Sequence, residues 1–346
     1  MAAASPGVLI VGGGLAGGLL ALALVECGAA VQLVDAGATA SWWSYGVMPG
    51  WPLAPNPLAR LAAGAGRAWQ SLQRRHGDLG WRRRPLSLAM PLPLSQVDTA
   101  RLAERLPAAL TAAGVDYLSA RVQALSPLEG GWQLQLEDGT SLAADQLVLA
   151  AGGLCRALWP DLPPQLGCSW AGVLELQAEA IGALGADLLR LPPRFTRLAL
   201  EQRAAQLQEP AWVVDAGLAP RGHGALLGQL SWIAPGGEAL SSPPVTAAES
   251  WLRCSLQQSA PAPLAELAAG PGRYHQLPVA FCRDGLPLAG PLPQAPGLWL
   301  FSGFSGGFAQ VPVLAPLLAQ AITAVELESR RLALAELERL QVLPRR

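Results

Sequence analysis

Three glycines, Gly12, Gly14 and Gly17, stand in the pattern G-x-G-x-x-G, and Asp35 follows them by about twenty residues. This spacing suits the binding of a dinucleotide. The first glycine makes a tight turn, the second lets backbone approach a pyrophosphate, and the third allows a helix to pack closely on a strand. Helix-start N–H groups, here those following Gly14 on Leu15 and Ala16, and the positive end of the helix dipole attract phosphate. A carboxylate at the end of the next strand accepts from ribose hydroxyls. The same fingerprint serves FAD and NAD and leaves that choice open.

The flanking elements support it. Val8 to Val11 is a short apolar run expected as a strand buried on both faces. Leu15 to Cys27 carries helix formers, Gly28 is its stop, and Val31 to Asp35 is a second strand. Together they make a βαβ unit, which argues for a parallel sheet with helices on its faces. Ala40 to Pro57 is expected as an ordered loop, Arg60 to Arg75 as a helix, and Trp81 to Leu94 as strands interrupted by prolines. Asp98 is the N-cap candidate of a helix to Ala113. Trp132 to Glu137 and Ser141 to Ala144 read as a hairpin about Asp138-Gly139. Gln146 to Ala151 is another apolar strand and runs into Gly152-Gly153, where backbone can approach a ligand closely. The middle, Pro160 to Pro278, mixes strands such as Trp212 to Val214 and Ala225 to Ile233 with a helix over Ala247 to Gln258. The last part returns to a strand at Leu298 to Phe301, a Gly-rich turn over Gly303 to Gly307, and one long helix from Pro312 to Arg331.

Composition narrows the classes further. Hydrophobic residues make up 51% of the 346 and charged ones 14%, which favours packed domains over disorder. All 24 basic residues are arginine, so lysine Schiff-base chemistry and a Walker-type phosphate loop are excluded. The net charge is −1, and no basic block exceeds Arg82-Arg83-Arg84, so a nucleic-acid partner is not expected. Five scattered cysteines and three distant histidines indicate neither a disulfide framework nor a metal site, and a reducing cytoplasm is the expected location. Gly7 to Val25 is uncharged but lacks a basic leader and holds the Gly-rich turn, so no integral membrane segment is expected.

The stretch LVLAAGG (Leu147 to Gly153), the block DGLPLAG (Asp284 to Gly290) and the run LFSGFSGGFAQVPVLAPLLAQAI (Leu300 to Ile322) together resemble the D-amino-acid oxidase family of flavoproteins, including glycine and sarcosine oxidases. Ser41 to Pro49 looks like the family's loop beneath the flavin, Arg121-Val122 like its adenine-contacting strand, and APRGHGALLG (Ala219 to Gly228) like a middle-domain strand pair. The resemblance implies FAD as cofactor and an α/β architecture: a discontinuous Rossmann-like FAD-binding domain over 1–50, 96–166 and 284–346. A mixed α+β substrate domain built on an antiparallel sheet would cover 51–95 and 167–283. It adds Ser41, Trp42, Val122, Gly152 and the turn Gly303, Phe304, Ser305, Gly306, Gly307 and Phe308 to the expected cofactor contacts. A helix start at that turn would stabilise negative charge on a reduced flavin.

The implied reaction is oxidation of a small amine or amino acid by hydride transfer to flavin, with an arginine gripping the substrate carboxylate. Val279 stands where that arginine is expected. Arg273, Arg283, Tyr274 and His275 lie nearby but out of register, and Arg283 can instead pair with Asp284. Two alternatives follow: a flavin-binding protein that has lost amine oxidation and serves binding or assembly, or a tRNA-modifying flavoenzyme, as in one branch of the family. Trp42, Trp43, Tyr45 and Trp51 are expected chiefly to anchor their loop, with walling of a flavin or flat ligand as the other reading. His223 is expected in solvent and Cys282 as a buried inert thiol.

Overall fold

The structure, a computed structural model, describes residues 7–37, 39–85, 93–182, 189–192, 194–237 and 242–345. It begins with β1 (Val8–Val11), α1 (Leu15–Glu26) and β2 (Val31–Asp35). α1 is apolar on nearly every side and is buried along most of its length, as such a helix must be. A 3-10 turn over Ala40–Trp43 and β3 (Val47–Pro49) give the Trp-rich loop regular structure. The single helix expected over Arg60 to Arg75 is two, α2 (Pro57–Ala62) and α3 (Ala65–His76). Asn56 starts the first by accepting from Ala59 N at 2.7 Å, with Pro57 at the position where a missing N–H costs nothing.

β4 (Trp81–Pro85) and β5 (Pro93–Val97) pair antiparallel beside β3; of the expected strand stretch, residues 86–92 lie outside the described residues. Asp98 caps α4 (Thr99–Ala112) through Ala100 N and Arg101 N. β6 (Asp116–Ser119) follows, then the antiparallel β7 (Val122–Leu128), β8 (Gly131–Leu136) and β9 (Ser141–Ala144), with the hairpin turning at Asp138-Gly139. β10 (Gln146–Leu149) and α5 (Cys155–Leu158) close this part.

The middle holds β11 (Leu166–Leu176), α6 (Ala178–Ile181), α7 (Thr196–Gln202), β12 (Ala211–Arg221), β13 (Gly224–Ile233), α8 (Val245–Ser259), α9 (Ala262–Ala269) and β14 (Arg273–Cys282). The chain ends with β15 (Leu288–Pro291), β16 (Leu298–Ser302), α10 (Gly307–Thr323) and α11 (Leu327–Arg339). The long helix expected from Pro312 is therefore broken in two, and it starts five residues earlier. Ala324 turns extended and ends α10. Pro312 sits inside α10 because the carbonyl it leaves without an N–H, that of Phe308, accepts from Trp69 Nε1 at 2.8 Å.

The main sheet runs β15-β16-β10-β1-β2-β6, parallel except at β15. Strand order reverses on the two sides of β1, and such a switch point leaves a crevice at the carboxyl ends of the strands. The second sheet runs β12-β13-β11-β14, antiparallel throughout. Strand alternation divides its residues. Leu174, Leu176, Leu227 and Leu230 pack against Leu252, Leu256 and Leu264 of α8 and α9. Ala171, Val173, Leu277 and Val279 take the opposite face, toward the crevice.

Two bulges interrupt this alternation. Against β11, residues 228 and 229 of β13 oppose Val173 alone. Against β13, residues 215 and 216 of β12 oppose Gln229 alone. Gly228 absorbs the first bulge with φ +123, a value that favours glycine. Among the described residues no helix is long and apolar enough to cross a membrane.

Candidate active site

One cavity of about 480 Å³ follows the crevice from the end of β1 to the underside of the second sheet, a size usual for small-molecule sites. Its first end is walled by Gly12, Gly14, Leu15, Ala16, Asp35, Ser41, Val122 and Gly152. Gly12 has φ +105, and a Cβ there would lie 2.6 Å from the Ala150 carbonyl oxygen, so only glycine makes this turn. Gly17 lies outside the wall; a Cβ on it would collide with the Gly12 carbonyl, so it sets how closely α1 packs on β1. Ser41 Oγ accepts from Leu15 N at 3.2 Å. Trp42 also stays out of the wall and packs against the parallel-sheet core.

Asp35 is fixed on both oxygens, Oδ1 accepting from Gly13 N at 3.0 Å and Oδ2 from Tyr117 Oη at 3.1 Å. Each carboxylate oxygen keeps a second lone pair for a ribose hydroxyl. Burial and the Asp35 charge push the Tyr117 hydroxyl up to about 12, so it stays a donor. Arg121 also lines this end and pairs with Glu137 at 3.2 Å. A turn open only to glycine, a helix start whose N-cap residue is a glycine without a side chain, and a fixed acceptor fit the adenine half of an extended dinucleotide.

Farther along, Gly303, Phe304, Ser305, Gly307 and Phe308 form the wall, with Gly306 set back as the N-cap of α10. A Cβ on Gly303, whose φ is +82, would strike Cys282 Sγ. Both Gly-rich helix starts, that of α1 and that of α10, thus reach one cavity.

Under the second sheet the wall is Trp43, Ala171, Val173, Gln229, Leu277 and Val279, with Arg197 at its side. The cationic residue comes from α7 and not from β14. Buried Asp215, in the β12 bulge, accepts from Thr196 N at 2.7 Å, Thr196 Oγ1 at 2.6 Å and Arg197 N at 3.2 Å, holding the helix start. The Arg197 guanidinium donates to Glu201 Oε1 at 3.1 Å and to the Ser305 carbonyl at 2.8 Å. Burial raises the Glu201 carboxyl above its ordinary range against the opposing pull of Arg197.

Val279 does face the cavity, as an apolar wall. The polar candidates near it in sequence, Arg273, Tyr274, His275 and Arg283, do not line it. Tyr274 points to the α8 side and donates to Gln276 Oε1 at 3.2 Å. Arg273 is exposed. Arg283 donates to the Gly236 carbonyl, and Asp284 Oδ1 accepts instead from Leu286 N, so the pairing expected between these two is not what holds either.

His275 stands behind the wall. Its ring stacks on Trp43 at 3.5 Å between centroids, and its Nε2 bonds Glu175 Oε2 at 2.9 Å. Arg221 lies 4.0 Å from the Trp43 ring, donates to Glu175 Oε1 at 3.0 Å and to the Trp42 carbonyl at 2.9 Å. Burial, more than any neighbour, holds the His275 imidazole below its ordinary value. Trp43 is therefore a braced wall, whereas Tyr45, donating to the Gly217 carbonyl at 3.1 Å, and Trp51 anchor the loop as expected. His223 is exposed in the turn between β12 and β13, and burial pushes the Cys282 thiol up.

Sequence reasoning missed Arg197 and Gln229. Arg197 carries no local motif, since the carboxylate that holds its backbone N–H lies eighteen positions away at Asp215. Gln229 left a trace: it is a polar residue following a glycine inside the apolar run ALLGQLSWI.

The profile of the DAO family, described as FAD dependent oxidoreductase, matches residues 7–92 and 89–321. A search of curated proteins found no match. Among solved structures, iminodiacetate oxidase from Chelativorans sp. BNC1 aligns with a TM-score of 0.65 and 17% identity, over 97% of this chain and 98% of that one. Glycine oxidase from Geobacillus kaustophilus gives 0.63 and 17%, over 93% and 95%. L-proline dehydrogenase from P. horikoshii gives 0.61 and 12%, over 96% and 98%. At these identities the likeness is one of fold.

Proposed function

The chain belongs to the DAO family of FAD-dependent oxidoreductases, and from that premise we propose that it holds FAD along the cavity and oxidises a small amine or amino acid beneath the second sheet. The observation that carries this reading is the single cavity that two Gly-rich helix starts share with an apolar chamber. Bound FAD would supply the two-electron acceptor. The backbone of Gly12 to Ala16 would receive the pyrophosphate and Asp35 the ribose, with Ser41, Val122 and Gly152 beside them. The start of α10 favours negative charge placed before it through its dipole. Trp43, Val173, Leu277 and Val279 exclude water and hold the reacting carbon.

The described residues lining this chamber include no histidine, tyrosine or carboxylate. The amine would therefore enter already deprotonated, losing its proton to solvent. The names of the fold neighbours, two amine or amino-acid oxidases and a proline dehydrogenase, support the same substrate class. Anaerobic mixing of FAD-loaded protein with a panel of amines and amino acids tests the reading, with bleaching of the flavin band by at least one of them as the expected result. Val279 motivates the second reading, a flavin-binding protein without amine oxidation. A stoichiometric flavin that no panel member reduces would select it.

A further inference from the structure

Gln229 is the one neutral amide aimed into the chamber under the second sheet, and its aim is built in. The β13 bulge gives residues 228 and 229 the space of one, and Gly228 takes the positive φ that this needs. Bulges of this kind re-aim a side chain. Among the described residues the amide has no hydrogen-bond partner, though it can both donate and accept. Around it stand Trp43, Ala171, Val173, Leu277 and Val279, which offer no polar side chain except the indole N–H.

The guanidinium of this chamber, that of Arg197, is already engaged: it is bound to Glu201, whose side chain is 4% exposed, and to the Ser305 carbonyl. A carboxylate entering here would lose its water and find that cation already bonded to Glu201 and to the Ser305 carbonyl. An ion in an apolar site is costly without a free counter-charge, whereas a neutral polar group needs only hydrogen bonds.

We propose that Gln229 anchors the substrate through an uncharged hydrogen-bonding group, so that the site takes an apolar amine bearing a carboxamide or similar neutral group in preference to a free amino acid. This rests on the amine-oxidation reading above and names its substrate class. Gln229 acts by binding, and the apolar wall carries the substrate's hydrocarbon part.

The test is calorimetric titration of the FAD-loaded protein with two unreactive probes of one shape, 3-methylbutanamide and 3-methylbutanoate. The amide should bind about 10-fold or more tightly than the carboxylate, the value of one or two hydrogen bonds. Gln229→Leu should remove most of that preference and leave FAD binding unchanged. Arg197→Gln should leave the preference in place. Equal or tighter binding of the carboxylate, binding of neither probe, or a preference that survives Gln229→Leu would overturn the proposal. A preference lost in Arg197→Gln would do so too, and would assign recognition to the cation. Failure of the amine-oxidation reading shows separately, as absent flavin reduction by 3-methylbutylamine and leucinamide, because these affinities do not depend on turnover.

Discussion

The two ends of the cavity are built in opposite ways. Gly12, Gly14, Gly17 and Asp35 lie within one βαβ unit, so neighbouring residues in sequence are neighbours in the site. The chamber at the other end takes Trp43 from a 3-10 turn, Val173 from β11, Arg197 from α7, Gln229 from β13 and Val279 from β14. The first end is fixed by local geometry, while the second is a surface of strand registers and bulges to which each element contributes one or two side chains. Geometry set by neighbouring residues at one end thus meets chemistry assembled from distant strands and helices at the other.

The sharpest way to break this contrast is at the local end. Gly17→Ala should cost about 3 kcal/mol or more, since overpacking against backbone cannot relax, and should abolish retention of FAD. Chemical denaturation and flavin absorbance check it; a folded yellow variant would show that close packing of α1 is dispensable. Asp35→Ala comes next, with FAD bound about 10- to 100-fold more weakly in equilibrium titration and stability less affected.

At the chamber end, Asp215→Ala should cost about 1–2 kcal/mol, the worth of a helix cap, and should leave FAD affinity near that of the parent protein. A large fall in FAD affinity would show that the two ends are not separable. The smallest effect concerns His275. Burial holds its folded-state value below the ordinary 6.5, so the unfolded chain takes up the proton first. Stability from this group is present above that value and is lost as pH falls below it. Urea unfolding at about pH 7.5 and about pH 5.5 should show a decline that His275→Gln reduces.

What was legible in the sequence follows the same division. The βαβ unit, the Asp98 cap, the Asp138-Gly139 hairpin and the late Gly-rich turn depend on residues close together, and all appear where the pattern places them. Helix ends were less legible: the start of α10 ahead of Pro312 depends on Trp69 reaching the Phe308 carbonyl from another helix, and the helix stops where Ala324 turns extended. Strand β14 was illegible because its polar half, Arg273 to Gln276, gives no apolar alternation. The chamber was legible only at Val279 and, in the second reading of its loop, at Trp43. Arg197 and Gln229 depend on bulges that exist only once β11, β12 and β13 are paired.

One bound FAD would span the locally built end and the start of α10. Hydrogen–deuterium exchange with and without FAD tests it most directly. With FAD bound, backbone amides in both Gly12 to Gly17 and Gly303 to Phe308 should exchange more slowly. Protection confined to the first segment, with the second exchanging as fast as in the FAD-free protein, would contradict it.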